Sequence, residues 1–245
     1  LLEALGERPF ALDIPALTYG IDVGDELTPF RAATELAAEA WGAKRTWWLV
    51  NGASQGNHVA LLTLGHRGHC VVTQRNAHSS TIDALIVSGL RPTFVSPELD
   101  PELHIAHCMT PDTLDAALSE TPDAVGATVV SPTYFGAVAD IAGLAEVAHS
   151  HGVPLVVDEA WGAHLAFHED LPASALSLGA DLVISSIHKV VGSLTQSAMI
   201  HLGDGDLIEE QVVDRCVTLV ESTSPSSLPS RTASLNVRVK RSAAP

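Results

Sequence analysis

Short apolar runs alternate with amphipathic stretches along most of this 245-residue chain. The runs have the length of strands and are almost continuously apolar, which is typical of strands buried on both faces of a parallel sheet. They predict seven strands, at residues 46–50, 69–73, 92–95, 126–131, 154–158, 181–185 and 197–202. The stretches beside them predict helices at 30–42, 54–65, 78–89, 112–120, 139–151 and 205–219. The predicted fold class is therefore α/β, with three layers built around a mostly parallel seven-stranded sheet.

The two ends of the chain lack this alternation. Residues 1–30 contain Pro9, Pro15 and Pro29 and are predicted to be irregular. Residues 228–245 hold four basic residues, no acidic residue and no periodic pattern, which predicts a disordered tail. The pattern divides the chain into an irregular N-terminal segment (1–30), one large domain (31–227) and a basic tail (228–245).

Composition narrows the class of protein. Hydrophobic residues make up 46% of the chain, which suits a folded domain with a sizeable core. The net charge of −16 argues against nucleic-acid binding, and no apolar run has the length of a membrane span. The three cysteines lie far apart and fit no metal-ligand spacing, so we expect free thiols in a reducing cytoplasm.

Polar clusters directly follow four of the predicted strands, at residues 51–57, 75–80, 158–161 and 185–189. In sheets of this kind, ligands bind at the carboxyl ends of the strands. We therefore expect the four clusters to form a single binding site.

Lys189 and Asp158 are the most informative members of these clusters. Each closes a predicted buried strand, where a charged side chain is costly unless it has a partner. An amine binds an aldehyde, and a carboxylate pairs with a protonated ring nitrogen. The pair predicts a site for pyridoxal phosphate.

Four residues of these clusters leave alternatives open. The 51–57 turn offers backbone N–H groups and a helix N-terminus near Ser54 to a phosphate, but Ser54 would serve equally as a plain N-cap. His78 is expected either to stack on a planar ring or to cap a helix. Asp158 would alternatively cap the next turn, and Glu159 is expected behind the site or at the surface.

Two other kinds of site fit the sequence less well. His164 and His168 have the i, i+4 spacing of a metal pair on a helix, but no H-E-x-x-H motif or third ligand accompanies them. We therefore expect no metal. A Ser/His/Asp hydrolase would need a G-x-S-x-G elbow, which is missing, and would leave Lys189 unexplained.

Six motifs together resemble a known family. The chain is similar to the large domain of the bacterial ornithine/lysine/arginine decarboxylases, which are fold-type-I pyridoxal-phosphate enzymes. The similarity runs from about residue 10 to residue 227. The motifs are Asn51-Gly52-Ala53-Ser54-Gln55-Gly56-Asn57, Arg75-Asn76-Ala77-His78-Ser79-Ser80, Ser131-Pro132-Thr133-Tyr134-Phe135-Gly136, Asp158-Glu159-Ala160-Trp161, Ser186-Ile187-His188-Lys189 with Thr195-Gln196-Ser197-Ala198, and Ser222-Thr223-Ser224-Pro225.

The resemblance implies a role for each motif. Lys189 is expected to form an internal aldimine with pyridoxal 5'-phosphate, and Asp158 to pair with its ring nitrogen. His78 and Ala160 are expected to pack on opposite faces of the ring. Thr223 lies in a segment that reaches the cofactor of a partner subunit, which implies a homodimer or a higher homo-oligomer. The remaining cofactor contacts are expected from Ala53, Ser54, Gln55, Trp161, Ser186 and His188.

The implied function is decarboxylation of lysine, ornithine or arginine to the corresponding amine in the cytoplasm. The sequence does not select among these amino-acid substrates. One alternative is another fold-type-I reaction, such as that of an aminotransferase or an aldolase-type lyase. The other is a truncated fragment without activity, because the resemblance ends near Leu228 and the C-terminal small domain of the family is expected to be absent.

Overall fold

The computed structural model describes Gly6, Glu7 and residues 28–222, and it contains a seven-stranded sheet. The strands are β1 (Arg45–Leu49), β2 (Cys70–Gln74), β3 (Arg91–Val95), β4 (Ala124–Val130), β5 (Leu155–Asp158), β6 (Leu182–Ser186) and β7 (Ala198–Leu202). Every predicted strand is present, with bounds within two residues of the prediction. The α/β fold class is confirmed.

The predicted helices are present in the predicted order, the first before β1 and the last after β7. They are α1 (Pro29–Trp41), α2 (Gly52–Gly65), α3 (Ser79–Ser88), α4 (Pro111–Glu120), α5 (Ile141–Ser150), α6 (Ile187–Val190) and α7 (Glu210–Val220). The short helix α6 was not predicted. The start of the last helix was predicted too early, because the chain first bends closely past Asp181. A Cβ on Gly205 would lie 2.8 Å from Asp181 Oδ1.

The strand order β1-β7-β6-β5-β4-β2-β3 brings the polar clusters to one edge of the sheet. Four neighbouring pairs of strands are parallel, and β7 runs antiparallel to both β6 and β1. Six strands therefore point the same way, and their carboxyl ends share an edge. At that edge Ala198 pairs with both Leu49 and Ser186, so the end of β1 lies close to the end of β6.

Apolar helices cover both faces of the sheet. On one face, α2 and α7 pack against residues such as Ile184 and Ile200. On the other face, α4 and α5 pack against the centre of the sheet, and Trp41 of α1 packs near Met199. Gly56 allows α2 to approach β6 closely, since a Cβ there would lie 2.5 Å from Ile184 Cγ2. This approach places the first turn of α2 above the ends of β1 and β6.

The predictions for the chain ends fall largely outside the described residues, as does Thr223. The division into segments 1–30, 31–227 and 228–245 stays a prediction. The three cysteines all lie within residues 28–222 and are buried free thiols, as predicted. Within the described ranges, no helix combines the length and the apolar character needed to cross a membrane.

Candidate cofactor site

A cavity of about 160 Å³ opens at the shared carboxyl edge of the sheet. Residues that follow β1, β2, β5 and β6 line it, so the four predicted polar clusters meet in one site. Nine of the eleven predicted site residues are among its lining residues: Ala53, Ser54, His78, Asp158, Ala160, Trp161, Ser186, His188 and Lys189.

Three lining residues, Asn57, His78 and Asp158, are joined by hydrogen bonds to Ser80 behind them, and we call these four residues the buried wall; all but the half-buried His78 are buried. The Asp158 carboxylate is only 6% exposed. Its Oδ2 accepts a hydrogen bond of 2.9 Å from Asn57 Nδ2, and its Oδ1 accepts one of 3.2 Å from the backbone N–H of Ala160. The second bond is the turn-capping role considered as an alternative for Asp158. The carboxylate is thus held in a fixed orientation beside the cavity.

His78 caps a helix, which is one of the two roles that the sequence offered, and its stacking on a planar ring stays a prediction. It is the N-cap residue of α3, where its Nδ1 accepts a hydrogen bond of 3.1 Å from the backbone N–H of Ser80. The same side chain lines the cavity. Capping therefore fixes the imidazole in a position from which it can contact a ligand.

Another part of the lining is more exposed and held by ring contacts, and we call its residues Tyr134, Trp161 and the half-buried Lys189 the open wall. Lys189 Nζ lies 4.5 Å from the centroid of the Trp161 ring. The Tyr134 ring meets the Trp161 ring edge-on at a centroid distance of 6.4 Å. Tyr134 is 59% exposed and Trp161 is 40% exposed.

The electrostatics of the open wall favour a reactive amine. Partial burial lowers the pKa of the Lys189 ammonium, and the nearby negative charge of Asp158 acts in the opposite direction. Burial also raises the pKa of the Tyr134 phenol, and Asp158 adds to that shift. A lowered pKa enlarges the fraction of neutral amine, which is the nucleophilic form.

The N-terminus of α2 contributes the end of a long helix to the cavity. Helix α2 has 14 residues, and Asn51 lies at its N-cap position without a side-chain capping bond to any described residue. Ser54 lies inside the first turn, so the plain N-cap interpretation of Ser54 is wrong. The first-turn residues Gly52, Ala53 and Ser54 all line the cavity. Helix N-termini carry partial positive charge and spare N–H donors, which suit an anion such as phosphate.

Ser186 and His188 lie at the end of β6, where one carbonyl organises the backbone. The carbonyl oxygen of Ser197 accepts hydrogen bonds from the backbone N–H groups of Ile187 and His188. His188 Nδ1 lies 3.0 Å from the same oxygen, and because a carbonyl only accepts, this nitrogen must carry a proton. Ser186 Oγ lies 3.4 Å from His188 Nδ1.

Gln55 lies apart from the cavity. Its side chain is 2% exposed, and its Oε1 accepts hydrogen bonds from the backbone N–H groups of Val50 and Asn51, at 3.1 and 3.0 Å. It pins the turn between β1 and α2, and it is not among the lining residues. The observed role of Gln55 is to shape the turn, and its contact with a cofactor stays a prediction.

Glu159 is buried, so the expectation of a surface position is wrong. It is 3% exposed and accepts a hydrogen bond of 2.8 Å from the backbone N–H of Ala175. Burial raises the pKa of Glu159 to about 8, although the Ala175 N–H acts against the shift. The carboxyl groups of Asp158 and Glu159 therefore occupy very different surroundings.

His164 and His168 do not share a helical face. They flank a 3₁₀ turn, Leu165–Phe167, and His168 has extended backbone angles and a largely exposed side chain. Within residues 28–222, no group of three or more His, Cys, Asp or Glu side chains is arranged to hold a metal ion.

The sequence interpretation gave no separate role to Asn57, Ser80 or Tyr134. Asn57 follows Ser54 by three positions, and that spacing places it one helical turn further along the same face of α2. The available signal was the polar amide of Asn57 in a mostly apolar helical stretch. Ser80 and Tyr134 carried no comparable signal, because their importance depends on contacts between distant segments.

Comparison with known proteins identifies the family. The family model described as "Orn/Lys/Arg decarboxylase, major domain" matches residues 2–244. The chain belongs to this family. Arginine decarboxylase of Bacillus subtilis is 39% identical over 237 residues, which cover 97% of this chain and 48% of the relative. Arginine decarboxylase of Halalkalibacterium halodurans is 41% identical over 224 residues, which cover 91% and 45%.

A solved structure of an Orn/Lys/Arg-type enzyme supports the fold. Lysine decarboxylase A from Pseudomonas aeruginosa superimposes with a TM-score of 0.78 at 23% identity, covering 96% of this chain and 34% of that chain. The chain spans about half the length of the Bacillus subtilis relative. The family match also includes residues 228–244, so the expectation that similarity ends near Leu228 is wrong. That stretch contains no motif, which is why residue patterns alone could not reveal its kinship.

Proposed function

We propose that this chain is the cofactor-binding part of a pyridoxal-phosphate-dependent decarboxylase of basic amino acids. The observation that carries the proposal is the convergence of Lys189 and Asp158 on one cavity, together with the N-terminus of α2. The three features come from separate segments of the chain. An amine, a carboxylate and an anion-binding helix end are a combination that this cofactor requires.

The groups that line the cavity fit each part of pyridoxal phosphate. Lys189 would bind the aldehyde, and Asp158 would pair with the ring nitrogen. His78 and Ala160 are available for the two faces of the ring. The phosphate would be held at the start of α2 by Ala53 and Ser54, with help from Ser186 and His188. Once bound, the cofactor would supply an electron sink for the bond that breaks at the substrate's α carbon.

The chain's own residues would then divide the work. Asp158 would place its carboxylate beside the ring nitrogen, because its orientation is fixed by the hydrogen bonds of Asn57 and Ala160. Lys189 would offer an amine whose lowered pKa favours its neutral form. Trp161 and Tyr134 border the amine on the exposed side, which is where a substrate would enter.

The substrate and the assembly are also proposals. The names of the relatives put arginine first among the basic amino acids to be tested. We propose a homodimer or a higher homo-oligomer, because two large aromatic side chains that line the cavity, Tyr134 and Trp161, stay exposed at 59% and 40%. The buried free thiols support a cytoplasmic enzyme. Sedimentation of the purified chain would measure its assembly state.

The amine and carboxylate do not by themselves select decarboxylation. An aminotransferase or an aldolase-type lyase would use the same pair, since one scaffold supports many reactions. Incubation with arginine, ornithine and lysine followed by product analysis separates these classes. A decarboxylase yields carbon dioxide and a diamine or agmatine-type amine, whereas an aminotransferase yields a keto acid.

The decisive experiment uses the only two lysines within residues 28–222, Lys189 and Lys44. We expect the 245-residue chain to form a coloured adduct with pyridoxal phosphate that borohydride traps on Lys189. Lys189→Ala should abolish the adduct, whereas Lys44→Ala, at an exposed position, should retain it. An adduct that persists in Lys189→Ala would contradict the proposal. An adduct without carbon dioxide release would favour a fragment that binds the cofactor but has no activity.

A further inference from the structure

Four side chains of the buried wall form one continuous chain of hydrogen bonds. Asn57 Nδ2 lies 2.9 Å from Asp158 Oδ2 and also 2.9 Å from Ser80 Oγ. Ser80 Oγ in turn lies 2.7 Å from His78 Nδ1. The chain thus connects α2, α3 and the end of β5. It joins Asp158, which would pair with the ring nitrogen, to His78, which would pack on one face of the ring.

Elementary chemistry fixes the direction of each bond. A side-chain amide nitrogen has two N–H groups and only donates, so Asn57 gives one hydrogen to Asp158 and one to Ser80. The reverse orientation of the amide would place its oxygen against the carboxylate. The backbone N–H of Ser80 donates to His78 Nδ1, so Nδ1 must accept. The neutral imidazole therefore carries its proton on Nε2.

The Ser80 hydroxyl completes the chain. Its oxygen receives the hydrogen of Asn57, which leaves its own hydrogen to point at His78 Nδ1. His188 shows the opposite arrangement, because its Nδ1 donates to a carbonyl oxygen. The two histidines of the site are thus held with protons on different ring nitrogens.

Burial makes this chain of bonds persistent. Asn57 and Asp158 are each 6% exposed, and Ser80 is 3% exposed. A buried polar group that loses its partner bears the full cost of its lost solvation. Bonds in such a chain also strengthen one another in a medium of low dielectric. Removal of any one member should therefore be felt by the others.

We propose that Asn57 is a positioning residue which, through Ser80, couples the carboxylate of Asp158 to the imidazole of His78. This inference rests on the proposed function, since its purpose is to hold both groups against one cofactor ring. Asn57 fixes the orientation of Asp158, and Ser80 fixes the tautomer of His78. His78 is then held as the tautomer with its proton on Nε2, in the cavity that it lines.

The first test needs no cofactor. In the chain labelled with ¹⁵N at histidine, NMR spectra report which ring nitrogen carries the proton, and His78→Gln identifies the signal of His78. We expect His78 protonated at Nε2 and His188 protonated at Nδ1. A His78 ring protonated at Nδ1 would overturn the inference, whether or not the chain binds pyridoxal phosphate.

The second test measures coupling by titrating pyridoxal phosphate into variants. Asn57→Ala and Ser80→Ala should each weaken binding roughly ten-fold, as expected for a lost hydrogen bond to a charged network. The double variant should bind pyridoxal phosphate no more weakly than the single variant with the lower affinity, because both substitutions break the same link. Ser80→Thr retains the hydroxyl and the backbone N–H and should retain the affinity.

A matched control comes from the same helix. Thr63 of α2 is 1% exposed and donates to Val59 O, so Thr63→Val removes a buried hydrogen bond far from the cavity. It should lower the unfolding temperature without weakening cofactor binding. If the losses of affinity in Asn57→Ala and Ser80→Ala multiply in the double variant, the inference about Asn57 is overturned, whereas the proposed function is not. Failure of the parent chain to form any adduct on Lys189 would instead overturn the proposed function.

Discussion

The buried wall and the open wall belong to one site, yet they are held by different forces. Directional hydrogen bonds between nearly solvent-free groups fix Asn57 and Asp158. Ring contacts between half-exposed side chains hold Trp161 and Lys189. The first kind of contact loses its strength with a small displacement, whereas the second tolerates rotation and sliding. We infer that the buried wall defines where a cofactor sits and the open wall adapts to what enters.

The largest expected effect comes from removing the negative charge of the buried wall. Asp158→Asn keeps the size of the side chain but removes its negative charge, so a protonated ring nitrogen would lose its partner. We expect cofactor binding to weaken roughly 10²- to 10³-fold, in line with the cost of breaking a buried ion pair. Spectroscopic titration with pyridoxal phosphate measures the change.

Asp181 provides the matched control for Asp158. It is also a buried aspartate, 3% exposed, but it lies at the opposite edge of the sheet and bonds His149 and the backbone of Leu155. Asp181→Asn should lower stability and leave cofactor affinity unchanged. Equal losses of affinity in both variants would show that the buried wall has no special role.

The next effect concerns Glu159, the buried acid beside Asp158. Its folded pKa of about 8 lies above an unfolded value of about 4.3, so between these values the folded chain keeps a proton that the unfolded chain has released. Stability therefore falls as pH rises through this window. Glu159→Gln cannot ionise and can still accept from Ala175. Its stability relative to the parent chain should grow by on the order of 3 kcal/mol from pH 5 to pH 8.

Urea unfolding at several pH values measures this difference. Glu146 is an exposed glutamate on α5, and Glu146→Gln serves as the control. A stability difference for Glu159→Gln that does not vary with pH would contradict a buried, protonated Glu159.

A smaller effect is expected from the packing that supports the buried wall. Gly56→Ala would place a methyl group 2.5 Å from Ile184 Cγ2 and force α2 away from β6. We expect a loss of about 1–3 kcal/mol in unfolding free energy, as for other overpacked cores. Gly65→Ala at the end of the same helix meets its nearest atom at 3.5 Å and should cost nothing. Chemical denaturation of both variants distinguishes a packing requirement from a general effect of alanine.

The smallest effect is expected at the open wall. Trp161→Leu removes the ring that contacts the Lys189 ammonium, and such contacts contribute about 0.5–1 kcal/mol at exposed sites. Cofactor affinity should fall only about two- to five-fold. Tyr134→Phe retains the ring and should change affinity less. A loss above about ten-fold for Trp161→Leu would place Trp161 among the rigid parts of the site and erase the contrast between the walls.

The strands were predictable because each apolar run has the length of a strand and is apolar at nearly every position. The position of β1 beside β7 was not predictable in the same way, since no local pattern distinguishes an edge neighbour from a central one. The short helix α6 was missed for a related reason. Its four residues are held by the distant carbonyl of Ser197 rather than by their own helical propensity.

The site residues also divide into those that a local pattern reveals and those that depend on contacts between distant segments. Lys189 and Asp158 were predictable because a charge at the end of a buried strand conflicts with its surroundings and demands a purpose. The link from Asn57 through Ser80 to His78 was not, because it exists only once α2 and α3 pack together. The hydrogen bonds of Gln55 were not predictable either, since a polar residue in a cofactor motif accepts from the backbone of its own turn.

The antiparallel course of β7 has a consequence for how this region can change. β6 ends at the carboxyl edge of the sheet, and the antiparallel β7 begins at the same edge. The chain between them therefore leaves this edge after β6 and returns to it at Ser197. The Ser197 carbonyl is bonded to Ile187 and His188, which closes the excursion at its base. Residues 191–196, between α6 and Ser197, thus form a loop that is tied at its base beside Lys189. Evolution can lengthen or shorten this loop while the amine stays in register with the rest of the sheet.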